Sequence, residues 1–165
     1  VLGVVILVLF ASGLFAAGQA KPGGKTGQFP APPAGARVWR SQTTGKEYRV
    51  WIENERLHAV WTNVPAELVQ GGAYIRTECQ RVGTRWVGSS QTYLPFPCGT
   101  TQNGKHVGKW CHVLTKIEFR RVEVDRITGS AEGYRRFDCE TCKIVEAVMK
   151  DFEWVPKEQS PVSSK

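Results

Sequence analysis

The sequence predicts an all-β fold: a small antiparallel barrel of about seven or eight strands with one or two short helices, with a two-sheet β-sandwich as the competing arrangement. Three observations lead there. Apolar and polar residues alternate along Glu47–Trp61, the period of half-buried strands. A two-residue turn at Asn54-Glu55 aligns an apolar face and a charge pair in one register. The rest of the folded part breaks into short β-rich runs separated by Gly, Pro and Asp, with few stretches suited to a helix. Barrel closure is favoured because it removes exposed strand edges.

Residues 1–20 carry no charge, and their apolar run (Leu2, Val4 to Phe10) gives way to small residues ending at Ala20. That order is the pattern of a cleaved secretory signal peptide. The alternative is an uncleaved anchor, since about 18 apolar residues can span a bilayer. Residues 21–36 hold four prolines and four glycines and read as an extended linker. Residues 157–165 read as a disordered tail. The folded unit is then a single domain over 37–156, long enough to bury about two-thirds of its unfolded surface.

Within it, the Asn54-Glu55 turn sets Ile52 opposite Leu57, Val50 opposite Ala59, Tyr48 opposite Trp61 and Glu53 opposite Arg56. This places Trp51 and His58 on the polar, outward side. Pro65–Gln70 suits one helical turn before Gly71-Gly72. Tyr74–Gln80 and Trp86–Tyr93 form the next hairpin through Gly83. Leu94–Lys109, rich in Pro and Gly, reads as a long loop. Val113–Val124 is a strand whose apolar phase slips between Phe119 and Val122, which predicts a β-bulge at Arg120-Arg121. Asp125-Arg126 turns into a strand over Ile127–Phe137. Lys143–Lys150 is the remaining candidate helix, and Val148–Val155 closes the unit.

The segments WRSQTTGKEY (Trp39–Tyr48), ECQRVGTRWVG (Glu78–Gly88), RITG (Arg126–Gly129) and FDCETCK (Phe137–Lys143) carry a resemblance. On them the 37–156 unit resembles short secreted bacterial proteins of lipocalin-like β-barrel build. The resemblance implies the barrel architecture and no catalytic residue.

The five cysteines are Cys79, Cys98, Cys111, Cys139 and Cys142. Behind an export signal the expectation is disulfides. Cys98 and Cys111 flank a glycine-rich loop and are expected to pair; Cys79 then reaches Cys139 or Cys142, leaving one thiol over. The C-x-x-C of Cys139 and Cys142 lacks the following His of haem attachment, the βαβ setting of a thiol oxidoreductase and the second cysteine pair of a zinc site. No metal and no cofactor is expected. Gly99–Lys105 has phosphate-loop spacing, but His106 stands where the metal-binding hydroxyl belongs. No nucleophile elbow surrounds Ser89 or Ser90, and His58, His106 and His112 have no flanking triad pattern. No catalytic residue is therefore assigned.

Six tryptophans are many for this length. Trp51, Trp61 and Trp86 are the candidates for an aromatic ligand wall, with Trp51 the prime surface residue. The net charge of +7 shrinks to +4 over 37–156, where the signs are mixed. That balance sets nucleic acid aside. The doublets Arg120-Arg121 and Arg135-Arg136 form a four-arginine patch if their strands bring them together, suited to an acidic glycan or lipid head group. The expected function is a secreted or periplasmic bacterial binding module, not an enzyme, for a small apolar or envelope-derived ligand, with no membrane span once the signal is cleaved. Alternatives are an envelope protein-interaction or inhibitor module and, third, a thiol oxidoreductase.

Overall fold

The computed structural model describes residues 29–103 and 105–157, without the side chains of Thr101, Lys105 and His106. The expected signal peptide, the linker up to residue 28 and the tail from residue 158 lie outside the described residues. The element order is β1 (Arg37–Ser41), β2 (Glu47–Glu53), β3 (Arg56–Trp61), α1 (Ala66–Val69), β4 (Tyr74–Val82), β5 (Arg85–Leu94), β6 (Gly99–Gln102), β7 (Lys105–Gly108), β8 (Cys111–Val122), β9 (Ile127–Asp138) and β10 (Lys143–Pro156).

All but β6 and β7 form one antiparallel meander in sequence order, and β10 returns to β1, where Ser41 faces Trp154 and Trp39 faces Pro156. The strand order is thus a closed barrel and not a sandwich. The first predicted hairpin is present in its predicted register, from Tyr48 opposite Trp61 to Glu53 opposite Arg56. Asn54 (φ 49°) and Glu55 (φ 59°) both occupy the left-handed region, the requirement of the tight turn whose twist matches the strands. Ile52 departs from its expected place: it is 55% exposed while Leu57 opposite is fully buried. The bulge also falls where the phase slip put it, between Phe119 and Arg121.

Two elements differ from expectation. Leu94–Lys109 is not all loop, since β6 and β7 pair from Gly99 opposite Gly108 to Gln102 opposite Lys105. Lys143–Lys150 is strand, paired to β9 with register shifts around Glu146. The backbone donors and acceptors of the long β9 need a partner along that stretch, and Ile144, Val145 and Val148 suit a strand better than a helix.

The packed part of the interior is built by inward residues of seven of the eight barrel strands, with the partly buried Trp86 and Leu94 of β5 against them. Trp39, Tyr48, Leu57, Ala59, Trp61, Ile75, Cys79, Ile117, Phe119, Ile127 and Trp154 form its buried cluster. Trp154 stacks on Tyr48 with ring centroids 4.3 Å apart and meets Phe119 edge-on at 5.4 Å.

Two seams of the barrel pair along only part of the longer strand: β10 meets β1 only over residues 154–156, and the β8–β9 seam stops short as well. β8 and β9 are in register from Val122 opposite Ile127 to Ile117 opposite Ala131, and there their ladder ends. Beyond it β8 pairs only with β5, through Cys111 opposite Leu94, and β9 only with β10, through Asp138 opposite Lys143. Where the ladder stops, the Glu132 carboxylate accepts the Lys116 backbone N–H at 3.0 Å, taking the place of a strand carbonyl. The wall therefore has a window between residues 111–116 and 132–138.

Two disulfides bracket the far end of this window: Cys98–Cys139 and Cys111–Cys142, both with Cα atoms 5.4 Å apart. The expected Cys98–Cys111 pairing is thereby corrected. Those two sulfurs do lie together, 3.9 Å apart, but each is bonded to a cysteine of the β9–β10 turn. That turn is shaped by Asp138, whose carboxylate accepts the Glu140 N–H at 2.8 Å and the Thr141 hydroxyl at 2.6 Å. Cys142, at φ 56°, then points back toward Cys111. The expected bond from Cys79 to this turn is also absent: Cys79 is a buried free thiol on β4.

Candidate functional site

The window opens on the barrel interior. The main cavity has a volume of about 560 Å³, with Tyr48, Ile75, Ile117, Phe152 and Trp154 as its apolar lining. A second lobe of about 430 Å³ runs along the window itself, between Val113 and Thr115 of β8 and Glu132, Gly133 and Tyr134 of β9, under Leu94, Phe137 and Ile144. The two lobes share Lys46, Ile75, Thr115, Glu132 and Gly133, so they are one space. A third recess of about 270 Å³ adjoins at Lys46 and is lined by Trp61, Leu68, Leu94 and Phe96. The volumes of the two lobes lie in the range of small-molecule sites.

Lys46 thus stands at the junction of all three spaces. The β1–β2 turn places it there. Ser41 Oγ accepts the Thr44 N–H at 3.3 Å and Gly45 takes a left-handed φ of 69°, a conformation in which a side chain would be strained. Asn63 fastens this turn to the end of β3. Its side-chain oxygen accepts the Glu47 N–H and the Trp61 indole N–H, both at 2.7 Å, and its amide donates to Gly45 O at 3.2 Å. The oriented Trp61 ring lies under the ammonium, 5.0 Å from Nζ to the ring centroid. Burial lowers the Lys46 pKa from its ordinary value.

The other charged groups on the cavity are engaged or solvated. Asp151 pairs with Arg120 at 2.8 Å, Glu132 is held by the Lys116 N–H, and Lys150 is exposed. Among the described residues no carboxylate lies within ion-pair distance of the Lys46 ammonium. Hydroxyls along one wall satisfy each other: Thr77 donates to Ser90 Oγ at 3.0 Å and Thr115 to the Ser90 carbonyl at 3.4 Å.

Of the predicted aromatic wall, only Trp61 reaches this site. Trp86 packs half-buried against the core. Trp51 is not a surface residue, being only 6% exposed on the outer side of β2. It stacks on His58 at 5.2 Å, and Phe29, from the linker, covers both rings edge-on at 6.1 and 5.8 Å. Beside Phe29 the outer face of β4 and β5 carries a polar groove of about 390 Å³ lined by Arg76, Glu78, Gln80 and Gln91.

The four-arginine patch is corrected as well. Arg121 faces Thr128 at the closed end of the β8–β9 ladder, whereas Arg136 lies past the end of that ladder and faces Glu146 on β10. Arg120 is bound to Asp151, and Arg135 to Glu146 at 3.5 Å. The C-x-x-C is consumed by two separate disulfides, so the thiol-oxidoreductase and zinc readings fall together. Lys46 and Glu132 were missed because a charged residue beside or within a strand gives no sequence sign of facing a cavity.

Fold and site together define a disulfide-clasped, up-and-down β-barrel with a side-opening cavity. Comparison of the chain with protein-family models, with curated proteins and with solved structures finds no match to any of them. Nothing in those comparisons points to an enzyme. The two disulfides are compatible with an extracellular or periplasmic location, and no helix among the described residues is long and apolar enough to cross a membrane.

Proposed function

We propose that this protein is a non-enzymatic binding module of an oxidising compartment outside the cytoplasm, taking a small apolar ligand into the barrel through the β8–β9 window. The observation that carries the reading is the junction of the apolar interior cavity with a stretch of wall that has no ladder across it. Most barrels of this strand number are filled by side chains or hold one small ligand. Here the small residues Ala131 and Gly133 on β9 line the space that larger residues would occupy. The disulfides fit an extracytoplasmic site of action, and the N-terminal apolar run supports export.

Nile red, a neutral dye that brightens in apolar surroundings, tests the reading with the full chain. Saturable binding is expected. Ala131→Phe, which puts a ring into the main cavity, should weaken binding at least tenfold. No saturable binding, or equal binding by the filled variant, overturns the proposal.

A further inference from the structure

The cavity is apolar over most of its lining, yet a half-buried ammonium stands at the point where its lobes meet. Burying the Lys46 stem removes water from the charge, and charges are seldom left so without an anion. Within the described residues its one close partner is the Trp61 ring, which supplies a cation–π contact and no negative oxygen. Four hydrogen bonds around Ser41 and Asn63 hold the turn that presents it. Its direct neighbour Glu47 does not neutralise it, because the Glu47 carboxylate is bound to Lys157 at 2.9 Å. Nor do the cavity's own carboxylates: Asp151 is paired with Arg120, and Glu132, turned to the Lys116 N–H, lies outside ion-pair distance of the ammonium.

We infer that the ligand is an anionic amphiphile, its head group bound by the Lys46 ammonium and its apolar body lying in the cavity against Ile75, Phe152 and Trp154. This rests on the binding reading above and names the chemistry of its ligand. A carboxylate or a phosphate monoester on a single hydrocarbon chain meets the requirement equally: an anionic oxygen for the three donors of the ammonium, and a tail for the apolar lining. The head group also removes the cost of the unpaired charge, so the anion gains over a neutral analogue of the same chain.

Competition against bound Nile red with three matched C12 compounds tests this: dodecanol, dodecanoate and dodecyl phosphate. At low ionic strength at least one anion is expected to displace the dye at about a tenfold lower concentration than dodecanol, the scale of one charge-assisted hydrogen bond. Whichever anion shows the advantage identifies the head group. In Lys46→Met, with its fold checked by near-ultraviolet circular dichroism, the ratio of anion to alcohol should fall to about one; in Lys46→Arg it should persist. If dodecanol and both anions compete equally in the native protein, the inference is overturned and the cavity reading stands. An anion advantage that survives in Lys46→Met also overturns it. If none of the three competes and the dye itself does not bind, both fail.

Discussion

His58 and Cys79 sit on opposite faces of one strand pair, His58 opposite Glu78 and Leu57 opposite Cys79. Both are almost fully buried, and burial acts on each through its charged form. For Cys79 the cost of burying a thiolate, with a smaller contribution from the Glu78 charge, pushes the pKa up to about 12. A thiol reagent at neutral pH should therefore find no reactive cysteine in the native protein. After denaturation without reductant it should find one, and peptide mapping should place it at Cys79. For His58, burial outweighs the nearby carboxylates of Glu78 and Glu53 and lowers the pKa below 6.5. The unfolded chain then takes up a proton near pH 6.5 that the folded one refuses. Stability should fall as pH drops from about 7, and this loss should stop below the folded pKa. A plot of urea midpoint against pH should show that slope in the native protein and a flatter one in His58→Gln. Asp138 is no substitute explanation: hydrogen bonds from Thr141 and then Glu140 lower its pKa, so its loss falls below 3.8.

Strand β9 shows how far element-level reasoning reaches. Its existence and bulged partner were legible in the sequence because alternation and its slip are local. The β2–β3 register was equally legible, since the turn type decides it. The window was not legible. Val113, Thr115 and Ile117 share one face of β8 with His112, Leu114 and Lys116 on the other, as they would inside a full ladder, and a strand's own sequence does not state whether its second edge is paired. The cover on Trp51 was hidden for a related reason: Phe29 arrives from a segment whose composition speaks only of a linker. The two glycines of β9 separate the paired and unpaired halves by experiment. A Cβ on Gly129 would lie 2.1 Å from Glu118 O and 2.6 Å from the Phe152 ring, whereas one on Gly133 would meet only the flexible Lys150 Cε at 3.4 Å. Gly129→Ala is expected to destabilise by about 1–3 kcal/mol through overpacking. Gly133→Ala should be neutral or stabilising by about 0.5 kcal/mol, because it restricts the unfolded chain. Equal losses at the two sites, measured by chemical denaturation, would contradict a close-packed seam at one and an open one at the other.

At the scale of the whole molecule, the disulfides do for the window what the missing ladder does not. Cys98–Cys139 links residues 41 apart and Cys111–Cys142 residues 31 apart, and the two spans interleave. In the chain-entropy model either bridge alone stabilises by about 4 kcal/mol. Together they are worth less than twice that. With Cys98–Cys139 formed, the shortest path from Cys111 to Cys142 runs back to Cys98, across the bridge and on from Cys139. That effective loop is roughly half as long, so the second closure contributes about 3 kcal/mol. Paired serine replacements should show this as unequal steps. Removing either bridge from the native protein should cost about 3 kcal/mol, and removing the second should cost about 4. The losses should be felt unevenly along the chain. The β9–β10 turn is joined to the β5–β8 connection mainly through these sulfurs, with the Lys109 ammonium to Glu140 carbonyl contact beside them. β1 through β4, by contrast, are paired to a neighbouring strand on both sides. Amide hydrogen exchange of the serine variants should therefore rise first over residues 132–144, while Val50, Leu57 and Ala59 keep their protection. Uniform loss of protection would mean that the barrel opens only as a whole and that the window is no weaker than the rest of its wall.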